Sequence, residues 1–420
     1  MNAGGSHLIK AGGELTLYDL HSDIIKYEPR KTYFGKPLIN EPQLDFSSSY
    51  AYQPMAGGFY IQDKIDLSRE DGIILNIGLR YDLLNPGAER PAIEAIPVSD
   101  DEYELAVAGT VPASIKHSLS PRIGAAMQLT EHGFLFINLG RYVQYPLFDY
   151  LYTGLDRIAL AGGIPALTGN PDLNPETATA YEISLKYSLP LDLVASATYF
   201  RKEWRNLVDS KTFIPGDSKL GPAYGYAEYV NNPNAEASGL ELTLTRDRGE
   251  LLRGEVSYTY MKTDGTSGTA NDGFYIAQYG LPPAKRFYPL SWDQRHTVKL
   301  TATVLCPWNM SIIFVGQYHT GRPYTYYQTS TGYEPVDGGL FQQNNRRMPS
   351  FSLADLKLEQ QLDLGFGPTA QLHLYADIRN LFNTKNVLWM DSNGRIGGEL
   401  HDPSAYAIGR RARLGFRLDF

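Results

Sequence analysis

Hydrophobic and polar residues alternate along most of this chain, in runs of roughly ten, and helical spacing is nearly absent. In the closing segment Ala412, Leu414, Phe416, Leu418 and Phe420 fall on one face, and Arg411, Arg413, Gly415, Arg417 and Asp419 on the other. Leu372, Leu374, Ala376 and Ile378 oppose Gln371, His373, Tyr375, Asp377 and Arg379, and Tyr181, Ile183, Leu185 and Tyr187 oppose Glu182, Ser184 and Lys186. Period two is the signature of strands with one apolar and one polar face. The pattern predicts about 14 such strands, all antiparallel to their sequence neighbours. It loosens around Phe59 to Leu67, where Asp63 takes an apolar position near a rim.

The links between strands alternate in length. Short ones begin at Ser68, Thr130, Ser188, Arg246, Cys306 and Leu364. Between them lie seven long connections, roughly 25 to 35 residues each, rich in Gly, Pro, Asn, Asp and Tyr. Soluble β-sandwiches carry short connections at both ends, whereas outer-membrane barrels put short turns on one side and long loops on the other. A soluble β protein remains an alternative from alternation alone. It would need a second layer over every apolar stripe, which a barrel in lipid does not.

Composition narrows this further. The 420 residues include 30 Tyr among 12% aromatics, which suits interfacial girdles; Tyr81, Tyr181, Tyr187, Tyr258 and Tyr260 fall near strand ends. No run of apolar residues is long enough for a spanning helix. A net charge of −8 argues against nucleic acid as a partner. The lone Cys306 excludes an internal disulfide. The first residues lack a basic segment followed by an apolar core, so they are not a signal peptide. No catalytic motif is present, no catalytic residue or cofactor is predicted, and the eight His show no metal spacing. Asp264-Gly265 and Asn271-Asp272-Gly273 could hold calcium, though such clusters are more often turns.

Several segments, in order from about Gly57 to Phe420, resemble the barrel of TonB-dependent outer-membrane receptors. They are GGFYIQDKIDLS with LNIGLRYD, SPRIGAAMQLTEHGFLFINLGRYVQYPLF, GNPDLNPETATAYEISLKY, ADIRNLFNTKNV and the terminal GRRARLGFRLDF. The NPDLNPE segment is the most specific; its Pro171 and Pro175 stiffen the return of a loop into a strand. The resemblance implies an antiparallel transmembrane β-barrel, or an open partial barrel, with short periplasmic turns and long extracellular loops, in the outer membrane of a Gram-negative cell. Receptors of this kind have about 22 strands and a plug in the lumen. Residues 1–420 therefore read as the C-terminal two-thirds or so of a receptor barrel, a fragment with the plug absent.

The implied function is energy-coupled uptake of a scarce ligand, such as a siderophore-iron complex, cobalamin, an oligosaccharide or a peptide. The alternative is a passive pore of about 14 strands. The implied partners are outer-membrane lipid, the outer-membrane assembly machinery, a small-molecule or oligomeric ligand, and TonB only through a missing N-terminal plug segment. Two aromatic clusters are candidates for ligand contact: Arg141, Tyr142, Tyr145, Phe148 and Tyr150, and Tyr324, Tyr326 and Tyr327. Tyrosine combines a large flat contact with one polar tip at small entropic cost. An aromatic girdle is the competing reading of the first cluster. The terminal Phe420 is the candidate signal for membrane assembly.

Overall fold

A computed structural model describes residues 6–27, 45–67, 72–99, 102–155, 167–213, 226–278, 287–326, 343–365 and 370–419. Fourteen strands form one continuous antiparallel path, each paired with its neighbours in sequence order. They are β1 (Ser6–Leu17), β2 (Met55–Asp66), β3 (Ile73–Asn85), β4 (Lys116–Thr130), β5 (Gly133–Gln144), β6 (Glu176–Leu189) and β7 (Leu193–Arg205). The path continues through β8 (Ala235–Arg246), β9 (Leu252–Gly265), β10 (His296–Cys306), β11 (Met310–His319), β12 (Phe351–Asp363), β13 (Gln371–Arg379) and β14 (Arg411–Asp419). β1 and β14 end the path and do not pair with each other among the described residues, so the sheet is open.

Alternation and register together sort the side chains onto two faces. Lys357, Asp377 and Arg413 lie abreast on β12, β13 and β14, as do Gln361, His373 and Arg417. Leu374 and Phe416 pair on the opposite face. That opposite face carries no covering layer: Leu414 is 86% exposed and Phe416 74%. Each such side chain left in water forgoes about 1.5–3 kcal/mol of burial, so a face of this extent is stable only against lipid. Asp63, near the short-turn end of β2, departs from the alternation. It lies on the apolar face, 2.7 Å from His7 Nδ1 on β1.

Asp192 in the β6–β7 turn and Asn309 in the β10–β11 turn hold φ of 59° and 56°, which their residue types tolerate, whereas Leu191 holds 65° against its preference. The loops carry structure that alternation did not predict. Leu20–Tyr27 pairs with Asp45–Tyr52, and Glu89–Ser99 with Glu102–Pro112. α1 (Phe148–Tyr152) and α2 (Asp272–Gln278) are short helices. Among the described residues the one departure from antiparallel pairing is a two-residue contact of Leu167–Thr168 with Ala227 and Glu228.

The dry core lies in these loops rather than in the wall. Leu84, Leu151, Tyr152 and Leu173 are at most 1% exposed and pack with Tyr50, Val208 and Tyr229. Four long connections meet there, so burial that a membrane wall cannot offer is made at its long-loop end.

Candidate functional site

The polar face of β1 to β6 lines a cleft of about 600 Å³ bordered by Lys10, Tyr60, Asn76, Arg122, Tyr142 and Glu182. Glycines on the same face make room for its large side chains. A Cβ at Gly58 would come within 2.6 Å of the Arg80 guanidinium, and one at Gly140 within 2.9 Å of the Tyr142 hydroxyl. Arg80 is held between Glu14 at 2.5 Å and Asp82 at 2.8 Å. Arg122 instead lies over the Tyr142 ring, 4.6 Å from its centroid. Neither Arg122 nor Lys10 has an ion-pair partner among the described residues. The cleft thus carries two cations with no ion-pair partner among the described residues, one of them lying over an aromatic ring, together with one carboxylate, Glu182.

At the head of the cleft the chain turns into the loop after β5. Burial pushes the Tyr145 phenol up, with the Asp82 carboxylate acting in the same direction and Arg80 against it. Its hydroxyl is buried and has no hydrogen-bond partner among the described residues. An unsatisfied buried hydroxyl costs about 1–3 kcal/mol, which a bound water or ligand group would recover.

The predicted ligand residues are dispersed by the fold. Tyr142 reaches the cleft. Arg141, one residue earlier, falls on the apolar face, opposite Thr179. Phe148 and Tyr150 are half-buried on α1 and pack into the loop core. The Tyr150 ring lies 4.8 Å from that of Tyr229. Tyr152, which the aromatic reading passed over, is fully buried, stacks at 4.5 Å on Tyr52 and donates to the Pro86 carbonyl at 2.7 Å. Its burial could have been read only from the fold of four loops at once.

In the second cluster Tyr324 pairs with Arg346 across a two-residue bridge, and the Arg346 guanidinium lies 3.5 Å from the centroid of Tyr326. The Gly394 turn of the last long connection lies against both rings: a Cβ there would stand 3.2 Å from the Tyr324 hydroxyl. Burial raises the Tyr324 phenol, while Arg346 opposes the shift. Tyr327 and Phe420 lie outside the described residues.

The NPDLNPE segment is a clasp between connections. Asp172 accepts from Lys116 Nζ at 2.6 Å and from the backbone N–H and hydroxyl of Ser114 at 3.0 and 2.7 Å. Burial alone would raise this carboxyl, but those hydrogen bonds hold it at about 2. Asn174 and Asn231 exchange two hydrogen bonds, Asn174 N–H to Asn231 Oδ1 at 2.6 Å and Asn231 Nδ2 to the Asn174 carbonyl at 3.0 Å. Asn380 and Asn383 form a structural corner, with φ of 51° and 52°. Asn380 bonds both the N–H and the carbonyl of Thr384.

The carboxylates considered for calcium already have partners. Asp272 accepts from Gly268 N–H at 2.8 Å and Thr269 Oγ1 at 2.5 Å, and Asp264 lies 2.6 Å from Lys262 Nζ.

Against this geometry stand the comparisons with known proteins. The ferric enterobactin receptor of Pseudomonas aeruginosa is 32% identical over 196 residues, covering 44% of this chain and 25% of that protein. The iron-regulated outer membrane virulence protein of Vibrio cholerae is 35% identical over 105 residues, covering 24% of this chain and 16% of that protein. Solved structures share the fold. The Escherichia coli outer membrane transporter YddB superposes with a TM-score of 0.66 at 14% identity, over 99% of this chain and 52% of that one. The P. aeruginosa ferric enterobactin receptor PfeA does so with a TM-score of 0.60 at 19% identity, over 100% and 52%. The chain therefore spans about half the length of these solved structures and a quarter or less of the curated relatives. The sheet, with its apolar outer face, is that of a multi-pass outer-membrane barrel. The model of the TonB dependent receptor-like β-barrel matches residues 6–381, and the chain belongs to that family.

Proposed function

We propose that residues 1–420 form the wall and mouth of an outer-membrane receptor for energy-coupled uptake, and that its ligand is an anionic ferric siderophore. The observation that carries this is the cleft, where Lys10 and Arg122 lack carboxylate partners and Tyr142 presents its ring to one of them. A catecholate chelate of iron is anionic and aromatic, so it matches both properties, whereas cobalamin and neutral oligosaccharides carry no net negative charge. The names of the two curated relatives, a ferric enterobactin receptor and an iron-regulated protein, support the same class. The family match favours such a receptor over a passive pore.

In this reading Tyr142 and Tyr145 touch ligand. Phe148 and Tyr150 hold the loop core, and Tyr324 and Tyr326 shape the mouth. TonB supplies the energy through the plug segment that the resemblance implies. Phe420 is the group that the outer-membrane assembly machinery reads on the last strand. Deleting it is expected to leave precursor in the periplasm while refolding in detergent is unchanged.

The test of the ligand class is fluorescence titration of the full chain in detergent with ferric enterobactin, ferrichrome, cyanocobalamin and maltohexaose. Saturable quenching by ferric enterobactin alone, weakened about tenfold by Arg122→Ala, is expected. Saturation by cobalamin or the sugar would refute the ligand class. Uptake by cells that survives a protonophore would instead favour the pore.

A further inference from the structure

Beyond the cleft, at the long-loop end of the polar face, lies a second and smaller hollow whose charge is negative. Gln144 follows Tyr142 by two residues on the polar face of β5, and Glu176, the first residue of β6, is its cross-strand partner. Two residues of strand place this pair about 7 Å outward of Tyr142. Together they border a pocket of about 230 Å³, closed by Tyr150 on α1, Leu207 from the β7–β8 connection and Trp292 from the β9–β10 connection. Among the described residues that line it, Glu176 alone is charged. One of its carboxylate oxygens accepts from the Val208 N–H at 2.9 Å. The other has no hydrogen-bond partner among the described residues, and the side chain has no ion-pair partner among them. Its charge is felt across the pocket: burial raises the Tyr150 phenol, and the Glu176 carboxylate, ahead of Asp149, acts in the same direction.

A carboxylate drawn out of water is stable when a cation and hydrogen bonds replace the water it has lost. Asp172 and Asp293, in the neighbouring connections, find theirs within the chain, from Lys116 and from Arg295 with Arg347. Glu176 has a single backbone donor and an open hollow beside it. The hollow is smaller than the roughly 300–1,000 Å³ of sites that enclose a drug-sized solute, so it suits one small group and not a chelate. A sugar hydroxyl donates to the free oxygen but leaves the charge uncompensated. An ammonium group supplies both the donor and the charge, and its flanking carbons gain from the faces of tyrosine and tryptophan.

We propose that this pocket is a binding site for a small organic ammonium ion, its N–H groups on the free oxygen of Glu176 and its methylenes against Tyr150 and Trp292. Its occupant is opposite in charge to the solute that Lys10 and Arg122 attract, and none of its contacts uses either cation. The site therefore stands whichever solute the barrel takes up.

The test is calorimetric titration of the full chain in detergent with butylammonium and with n-butanol, its neutral counterpart, each corrected against detergent alone. Wild type is expected to bind butylammonium about tenfold more tightly than butanol, the difference between a charge-assisted and a neutral hydrogen bond. Glu176→Gln, which keeps an acceptor for the Val208 N–H, is expected to bind the two alike. Glu241→Gln, which removes a carboxylate from the polar face of β8, is expected to keep the preference. Trp292→Leu should weaken butylammonium about threefold. A heat-modifiable band on gels shows that each variant is folded. Equal binding of the two probes by wild type, or an unchanged preference in Glu176→Gln, would overturn the proposal. Displacement of butylammonium by equimolar potassium would also overturn it, by assigning the site to an inorganic ion, and tighter binding of methyl glucoside than of butylammonium would do so by assigning it to a sugar.

Discussion

Ile183 is the residue at which the two-faced wall is most directly tested. It lies near the centre of β6, on the apolar face, between Ile137 of β5 and Tyr199 of β7, and is 45% exposed. An arginine on the lipid face at mid-bilayer costs about 2–4 kcal/mol. At 1.36 kcal/mol per decade that is about a 30- to 900-fold shift in the folding equilibrium. The neighbouring Ser184 is on the polar face, where its hydroxyl meets Thr198 Oγ1 at 2.7 Å. Ser184→Arg loses that hydrogen bond, about 1 kcal/mol, and places its charge in water. Ile183→Arg is therefore expected to lower stability by at least 1–3 kcal/mol more than Ser184→Arg. Urea titration in lipid vesicles, scored by the heat-modifiable band, measures the difference. Equal midpoints for the two variants, or a larger loss for Ser184→Arg, would refute the assignment of faces.

Three further outcomes are expected in the long connections and one turn. Burial raises the Asp209 carboxyl to about 6 although it accepts from Gly273 and Ser210 N–H at 2.9 and 2.8 Å. A carboxyl raised in the folded state favours folding below its unfolded value near 3.8 and loses that contribution as pH rises through about 6. The contact of α2 with this loop should thus loosen by about 2–3 kcal/mol from pH 4 to pH 7, read as faster exchange of the Gly273 and Phe274 amides, and Asp209→Asn should flatten the profile. Asp293 has no exposed side-chain surface, lies 2.9 Å from Arg295 Nε, and also binds Arg347 from the next long connection. Asp293→Asn leaves two guanidiniums short of their carboxylate and should cost about 3 kcal/mol, seen as new protease cleavage near Arg347. Leu191, 73% exposed at φ 65°, holds a conformation that disfavours a Cβ. Leu191→Gly should gain about 0.5–1 kcal/mol in the urea midpoint.

The wall was legible in the sequence because its physics is local. A strand in lipid needs only alternation, since water on one side and hydrocarbon on the other sort its side chains independently of any distant partner. Hence Arg413, Asp377 and Glu182 could be assigned to one face and Leu414, Leu374 and Ile183 to the other from spacing alone, and the registers agree. The segregation of short turns from long connections was equally readable, because hairpins between sequence neighbours leave no topological choice. The site was not. A cluster of aromatics in sequence, Tyr142 to Tyr150, is divided among a cleft, a loop core and a helix once the chain turns at Pro146, and Arg141 departs to the opposite face by a single residue of phase. Lys10, Arg122 and Tyr142 come from β1, β4 and β5 and meet only through sheet register, and Glu176 and Trp292 likewise share a pocket only once the long connections fold over the strand ends. Periodicity fixes which way a side chain points. Only pairing between strands fixes which other side chains it meets, because that depends on hydrogen bonds closed between residues dozens of positions apart.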